Sequence, residues 1–216
     1  PGIGDRHTSP MEFTEVATRR RMTRRFRTTP AVPDHVVTEL VRLAQRAPSA
    51  GFTQGWDVVA LTDAADRDLY GSVTTDPDRA PDAWRRGVGA APALLLMLAD
   101  PAAYLDRYAE PDKGWTDRSR DRWPIPYWDT DTAMAAMLIL LGATDRGLGS
   151  LFFGVPAGRH DAVRSAFDIP HDRRIVGVIA LGHEDRSSRS PSLARGRRPV
   201  HDVLHLGRFE APGASQ

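Results

Sequence analysis

The sequence contains no cysteine and only one lysine, Lys113, among its 216 residues. Without cysteine there can be no disulfide, thiol nucleophile or cysteine-bound zinc, and the chain fits a reducing compartment. The longest apolar run, residues 90–99, is too short to cross a bilayer and contains Pro92, so it predicts a buried strand. The first twenty residues hold no apolar segment typical of a signal peptide. We therefore expect a cytoplasmic protein with no membrane partner.

Positive charge is concentrated in one short run. Six arginines lie between Arg19 and Arg27, in RRRMTRRFR, although Lys and Arg together number 29 against 28 Asp and Glu. Because the acidic residues are spread along the chain, no broad positive field is available to hold a nucleic acid, and we expect no nucleic-acid partner. Two interpretations of the run stay open: a pocket wall that binds a small anion, and a solvated helix face.

Hydrophobic periodicity predicts a mixture of helices and strands, and hence an α+β fold. Helices are predicted over residues 33–47, 66–73, 102–109, 130–146 and 159–167, with a helix-like stretch over 11–21; strands are predicted over 56–61, 94–98, 151–155 and 174–181. No repeat or boundary divides the chain, so we expect one domain over residues 1–216. Its appendages are an N-terminal arm (1–12), an aromatic lid-like loop (110–128) and a C-terminal extension (183–216).

No side-chain nucleophile or metal site stands out. Ser49 and Ser150 lie near glycines, but neither is in a G-x-S-x-G turn, and no G-x-G-x-x-G joins a strand to a helix. His201 and His205 are four residues apart, but the glutamate of a zinc hydrolase and a third ligand at a distinctive spacing are lacking. We therefore predict no catalytic side chain and no metal.

The loop APSAGFTQGW, residues 47–56, offers polar groups near small residues. Ser49, Thr53 and Gln54 could hydrogen-bond the edge of a planar heterocycle while the backbone approaches closely. The alternative is an ordinary connection between a helix and a strand.

Taken in order, the arginine run, this loop, GLGSLFFGV and RGRRPVHDVLH resemble the nitroreductase family of FMN enzymes from about Phe13 to Phe209. The resemblance implies a three-layer α-β-α sandwich with a mixed central sheet. It also implies a homodimer, with the C-terminal arm exchanged between the two copies. The FMN-contacting positions carried over by these motifs are Arg20, Arg21, Met22, Arg24, Pro48, Ser49, Gln54, Phe152, Phe153 and Gly154, with Arg197 and Arg198 as candidates for a basic residue that returns to the phosphate.

Three positions depart from the family's motifs. Met22 stands where a serine is usual, which removes a polar contact to FMN. Phe52 replaces an asparagine and Gly55 a proline. An aromatic ring at position 52 suggests altered substrate choice. We expect Phe52 to form a substrate wall with Trp123, Tyr127 and Trp128, although the same aromatic residues could instead close a dimer interface.

The chemistry that the resemblance implies needs no side-chain nucleophile. Hydride would pass from NAD(P)H to flavin N5 and then, by a ping-pong mechanism, to a flat small-molecule acceptor such as a nitroaromatic or a quinone. Arginine forks suit a phosphate dianion, and the flavin ring edge takes hydrogen-bond donors. Two alternatives remain: an FMN oxidase or dehydrogenase that acts on a biosynthetic intermediate, and a flavin-binding protein without turnover.

Overall fold

A computed structural model describes residues 12–76, 78, 80, 82–185 and 190–209. This part of the chain forms seven α-helices and four β-strands, in agreement with the predicted α+β class. The helices are α1 (Phe13–Arg19), α2 (Asp34–Ala44), α3 (Ala64–Thr74), α4 (Ala83–Gly89), α5 (Pro101–Ala109), α6 (Tyr127–Asp145) and α7 (His160–Ala166). The strands are β1 (Trp56–Leu61), β2 (Ala93–Ala99), β3 (Gly149–Phe153) and β4 (Arg174–Gly182).

The strands form one sheet in the order β1-β2-β4-β3. All three strand pairs are antiparallel. An isolated parallel bridge joins Met22 to Ser150 at the outer edge of β3. Within the described residues, the mixed character expected of the sheet is therefore limited to this one parallel bridge beside four antiparallel strands.

Helices cover both faces of the sheet and make three layers. On one face α2 and α6 contribute Leu40 and Ile139 to a buried apolar cluster. On the other face α3, α4 and α7 pack over the sheet, with Val88 and Val163 in a second cluster. The predicted α-β-α sandwich is thereby confirmed.

Strand β2 is buried along its whole length because it lies inside the sheet with helices on both sides. Leu94, Leu96 and Leu98 face the α3-α4-α7 layer, whereas Leu95 and Met97 face α2 and α6. Each such side chain contributes about 1.5–3 kcal/mol of burial free energy. The continuous apolar run in the sequence is therefore a buried strand, as predicted.

The long helix α6 begins at Tyr127, three residues before the predicted start at residue 130, and directly follows Pro126. Its Gly142 permits close approach of α2, because a Cβ there would lie 2.7 Å from a methyl carbon of Leu43. On the outside Met134 and Met137 stay 38% and 42% exposed. None of the described helices is both long and apolar enough to cross a lipid bilayer.

Helix α4 was missed by the sequence analysis. Two of its seven residues are glycine, which weakens helix propensity. Its start is fixed by Asp82, whose carboxylate accepts a hydrogen bond from the Arg85 backbone N–H at 2.8 Å. This short helix borders the arginine run, since the Gly87 carbonyl oxygen accepts from the Phe26 N–H.

The chain from residue 190 to 209 contains two short 3₁₀ segments, Pro191–Arg195 and Val200–Asp202. Apolar side chains here are exposed, among them Leu206 at 87% and Phe209 at 80%. This part of the extension buries little of its apolar surface on its own chain. Residues 1–11 of the predicted N-terminal arm, and residues 186–189 and 210–216 of the extension, lie outside the described residues.

Candidate functional site

The arginine run leaves α1 and follows the free edge of β3. α1 ends at Arg19, and the chain then continues in an extended form, with the Thr23 N–H donating to the Ser150 carbonyl oxygen at 2.9 Å. Further along, the Phe26 N–H donates to the Gly87 carbonyl oxygen at 3.2 Å. The run is therefore fixed between β3 and α4 and is not a solvated helix face over its full length.

Because side chains alternate along an extended backbone, the arginines point in different directions. Arg20 and Arg24 are half-buried, whereas Arg21 is exposed and forms an ion pair with Glu184. Arg19 is also exposed and pairs with Glu15 at 2.8 Å. The structure therefore separates Arg21 from the other two arginines that the sequence analysis grouped with it.

The guanidinium of Arg20 is suited to an anionic ligand. Its Nη1 atom is buried and has no hydrogen-bond partner within the described part of the chain. A buried charged donor without an acceptor is costly, and phosphate oxygens satisfy a guanidinium fork well. Arg24 is positioned nearby in sequence, with its Nη1 donating to the Met22 carbonyl oxygen at 3.1 Å. These residues therefore fit a phosphate group.

Phe152 and Phe153 lie on opposite faces of β3, so their side chains have different surroundings. Phe152 packs into the α2-α6 side of the core and occupies the space beside Gly177, where a Cβ would lie 2.3 Å from its ring. Phe153 faces the other layer and meets the ring of Trp84, on α4, edge-on at 5.5 Å between centroids. Phe153 and the exposed Gly154 line a cavity of about 120 Å³ together with Trp84.

We call Arg20, Arg24, Phe153 and Gly154 the arginine half-site. Helix α4 links Arg24 to Phe153: Gly87 touches the arginine run, because a Cβ there would lie 2.2 Å from the Arg24 carbonyl oxygen. Its Trp84 contacts Phe153. No sequence motif indicated Trp84, since α4 itself was not predicted.

The loop after α2 has an unusual backbone. Gly51, Phe52 and Gln54 all have positive φ values, of 62°, 53° and 56°. Side chains other than glycine rarely adopt this region, which costs about 1–3 kcal/mol for each such residue. The Phe52 side chain is 75% exposed. A strained loop that displays an aromatic ring is typical of a functional position.

Several predicted contacts lie on this loop, and we call Ser49, Phe52 and Gln54 the loop half-site. Pro48 and Gln54 are exposed, whereas Ser49 is half-buried. The Ser49 Oγ accepts a hydrogen bond from the Gln54 N–H at 2.8 Å. Gln54 also lines an open groove of about 620 Å³ between α2 and β1.

Three members of the expected aromatic wall, Trp123, Tyr127 and Trp128, form a cluster in which they play different parts. Among the described residues no ring contact joins the fourth member, Phe52, to them. Trp128 is buried, with 7% exposure, and packs against Tyr104. Trp123 is half-buried and lies 5.7 Å from Trp128 and 6.0 Å from Tyr127 between ring centroids. Tyr127 is 44% exposed. Only Tyr127 and part of Trp123 therefore offer surface to a ligand in this arrangement, while Trp128 belongs to the core.

The two candidate arginines of the C-terminal extension lie in a stretch without helix or strand, between the two 3₁₀ segments. Arg197 and Arg198 are exposed, and the Arg198 guanidinium donates to the Asp202 carbonyl oxygen. The described residues contain no group of three or more side chains placed to bind a metal ion.

Sequence reasoning missed two buried residues behind the loop. Asp131 is 1% exposed and its carboxylate accepts hydrogen bonds from the Tyr104 hydroxyl at 2.7 Å and the Ala50 N–H at 2.8 Å. Burial raises the pKa of the Tyr104 hydroxyl well above its ordinary value, so it stays a donor. The available signal was weak, because α6 also contains Asp129 and Asp145 and only packing distinguishes the buried Asp131.

Most of the described three-layer fold matches one known family. The model of the nitroreductase family matches residues 17–183. The chain therefore belongs to the nitroreductase family, as its motifs predicted.

Individual relatives cover most of the chain. It is 29% identical over 198 residues to a 4-nitrobenzoate reductase of Nocardioides sp. (strain LMS-CY), covering 78% of this chain and 79% of that protein. It is 27% identical over 205 residues to a 5,6-dimethylbenzimidazole synthase of Rhodospirillum rubrum, covering 86% and 89%.

Solved structures agree with the fold. The NfrA1 nitroreductase of Bacillus subtilis superimposes with a TM-score of 0.73 at 17% identity, over 94% of this chain and 76% of that one. A Staphylococcus epidermidis protein provisionally named an NAD(P)H:FMN oxidoreductase gives a TM-score of 0.69 at 18% identity, over 94% of this chain and all of that one (100%). At these identities the likeness shows the fold alone.

Proposed function

We propose that this protein is an FMN-dependent oxidoreductase that transfers hydride from NAD(P)H to a flat acceptor such as a nitroaromatic or a quinone, by a ping-pong mechanism. Membership of the nitroreductase family and the names of its relatives support an oxidoreductase. The observation that carries the FMN assignment is the buried Nη1 of Arg20, which has no hydrogen-bond partner among the described residues. A bound phosphate would provide the acceptor that this guanidinium lacks there.

Each half-site would bind a different part of FMN. Arg20 and Arg24 would hold its phosphate, and Gly154, with no side chain, leaves room for the ring to approach the backbone after β3. Ser49 and Gln54 would supply polar contacts to the ring edge. Bound FMN provides a two-electron acceptor and donor, which no side chain of this protein can replace.

The protein's own residues would orient the substrates and exclude water. Phe52 and Tyr127 offer exposed aromatic surface on which a flat acceptor can stack, and Trp123 supports Tyr127 from behind. Each turnover oxidises one NAD(P)H, and the acceptor gains two electrons. A quinone would take up two protons as well, one delivered with the hydride and one from solvent. No side-chain nucleophile is needed, in keeping with the sequence.

The active unit we propose is a homodimer. The arginine half-site lies along the β3 edge of the sheet, while the loop half-site leads into β1 at the opposite edge. Three strand spacings separate these edges, about 14 Å in all. One copy therefore presents two halves facing away from each other, and a second copy can complete both. The exposed apolar residues of α6 and of the C-terminal extension would be covered in that assembly.

The absorbance spectrum of the purified protein tests the assignment. We expect a yellow protein that releases FMN on denaturation and is bleached by NADH or NADPH without oxygen. As a test of the site, Arg20→Ala combined with Arg24→Ala should abolish FMN retention while the dimer persists. A colourless protein that takes up no added FMN contradicts the proposal. If the double variant bound FMN with unchanged affinity, Arg20 and Arg24 would serve another anion.

A second candidate is an FMN oxidase or dehydrogenase acting on a biosynthetic intermediate. The similarity to a 5,6-dimethylbenzimidazole synthase favours it. The bleaching experiment separates the two, because such an enzyme would be reduced by its own substrate and hardly by a nicotinamide. A yellow protein reduced by neither would be a flavin-binding protein without turnover. The cytoplasmic location remains a prediction.

A further inference from the structure

The loop half-site is held from behind by two buried side chains that belong to other elements. Tyr104 of α5 is fully buried, and its hydroxyl donates to the Asp131 carboxylate at 2.7 Å. The same carboxylate oxygen accepts the Ala50 N–H at 2.8 Å. The Ser49 Oγ lies 3.4 Å from the Tyr104 hydroxyl oxygen. One aspartate oxygen thus links α5, α6 and the loop.

The loop needs such support because its backbone is intrinsically unfavourable. Three of its residues have positive φ values, and two of these, Phe52 and Gln54, carry side chains that disfavour the left-handed region. Such conformations persist only where the surroundings over-determine them. The contacts around Ala50 and Ser49 provide that restraint, together with the Arg107 Nε, which donates to the Gly51 carbonyl oxygen at 2.9 Å.

We propose that Tyr104 and Asp131 are positioning residues that hold the Ser49–Gln54 loop in the conformation that presents Ser49, Phe52 and Gln54 to their ligands. Their effect on FMN binding rests on the proposed function, whereas their hold on the loop follows from the described contacts alone.

General stabilisation does not account for this arrangement. A buried charge pair or polar pair is often no more stabilising than apolar residues of the same volume. The pair instead fixes the orientation of the loop backbone, since the same Asp131 oxygen accepts from the Tyr104 hydroxyl and from the Ala50 N–H. The ring of Tyr104 also fits the loop closely: a Cβ at Gly55 would lie 2.6 Å from it. The glycine at this departure from the family motif therefore makes room for the tyrosine.

The tyrosine also connects the loop to the aromatic segment. Its ring meets Trp123 at 6.0 Å and Trp128 at 6.2 Å between centroids, both edge-on. Tyr104 thus has its ring in the aromatic cluster and its hydroxyl in the polar network. A single residue fixes the relative placement of two surfaces that we assign to substrate binding.

Hydrogen exchange in the protein without FMN tests the positioning role directly. Tyr104→Phe removes the hydroxyl and keeps the ring, and Tyr108→Phe, one turn later on α5, is the matched control. We expect the Ala50 and Gln54 amides to exchange about tenfold or more faster in Tyr104→Phe and at the wild-type rate in the control. Unchanged exchange at both amides in Tyr104→Phe overturns the proposal. If that variant does not fold, Asp131→Asn, which keeps the volume and weakens the acceptor, should accelerate Ala50 exchange, and no acceleration there overturns the proposal.

Binding of FMN itself tests the consequence for the site. Titration of the FMN-free protein should give a dissociation constant about tenfold higher for Tyr104→Phe than for wild type. A cycle with Ser49→Ala should be non-additive, because both changes act through the same hydroxyl contact. Additive effects, or unaltered affinity in Tyr104→Phe, would argue against positioning. If wild type itself binds no FMN, the proposed function fails, while the exchange experiment still decides the role of Tyr104.

Discussion

Arg20 differs from the arginines around it in its hydrogen bonding more than in its charge. Its neighbours Arg19 and Arg21 already have carboxylate partners in Glu15 and Glu184. The buried Nη1 of Arg20 has none in the described part of the chain. An anion therefore gains more binding free energy at Arg20 than at Arg19 or Arg21, where it would have to displace an existing ion pair.

This contrast gives a paired prediction for single substitutions. Arg20→Ala should weaken FMN binding by about 10–100-fold, because a hydrogen bond to a charged group contributes about 1.5–3 kcal/mol. Arg21→Ala should change it less than about threefold. Flavin fluorescence titration measures both. Equal losses in the two variants would refute the distinction drawn from the ion pairs.

Because Gly55 has no side chain, the Tyr104 ring can pack directly against the backbone there. Gly55→Ala should destabilise the fold by about 1–3 kcal/mol, since a Cβ would collide with the Tyr104 ring. Gly71→Ala, in α3 with nothing within 4 Å of its Cβ position, is the control and should be neutral or stabilising. Urea unfolding followed by circular dichroism measures both. A Gly55→Ala variant as stable as wild type would show that the ring moves aside freely.

Among the elements, α4 connects the arginine run to the cavity beside Phe153. Gly87→Ala pushes on the Arg24 carbonyl oxygen, because the Cβ would lie 2.2 Å from it, whereas Gly89→Ala in the same helix meets nothing within 4 Å. We expect Gly87→Ala to lower FMN affinity about tenfold or more and Gly89→Ala to leave it unchanged. Isothermal titration of FMN into the apoprotein compares them. Equal affinity in the two variants would separate α4 from the site.

The segment 110–128 is fastened to α5 by a bidentate ion pair between Arg107 and Asp112, at 2.7 and 2.8 Å. The Arg107 guanidinium lowers the pKa of Asp112. The pair's contribution is therefore present above the ordinary carboxyl pKa and is lost as pH falls through the lowered value, so the segment is held at neutral pH.

Asp112→Asn reproduces the protonated state at neutral pH, and we expect it to loosen this segment. The single lysine, Lys113, lies next to it, so a lysine-specific protease has one cleavage site in the chain. Cleavage should be several-fold faster in Asp112→Asn than in wild type. Asp161→Asn, which removes the ion pair with Arg164 on α7, should cleave at the wild-type rate. No acceleration in Asp112→Asn would mean that other contacts suffice to hold the segment, among them the ion pair between Arg118 and Asp106 of α5 and the aromatic cluster.

At the scale of the whole molecule, the position of the two proposed half-sites on opposite sheet edges is the basis of the proposed homodimer. Met137→Asp, on the exposed face of α6, should weaken the proposed dimer. Leu69→Asp on α3, of nearly equal exposure, should not: the two side chains are 42% and 40% exposed. Sedimentation velocity measures the association state. A monomeric wild type that retains FMN would contradict the shared site.

The elements with strong periodic patterns could be predicted, and those governed by long-range contacts could not. Strand β2 and helix α6 could be predicted because long apolar runs are typical of elements that are buried on more than one side. The extended path of Arg20 to Arg24 was not, because it follows from pairing with β3, far away in sequence. The partnership of Tyr104 with Asp131 was likewise hidden, since 27 residues separate them. Trp128 resembled its neighbours in the sequence, and only packing distinguishes its buried ring.

Three of the five tryptophans, Trp115, Trp123 and Trp128, lie in one cluster, with centroid separations of 5.5 and 5.7 Å between consecutive rings. Rings this close exchange excitation, so the emission of these three tryptophans reports on the cluster as one unit. Tryptophan emission overlaps the near-ultraviolet absorption of an oxidised flavin. Quenching of that emission therefore gives a label-free optical signal for the arrival of a flavin or a flat acceptor beside the cluster.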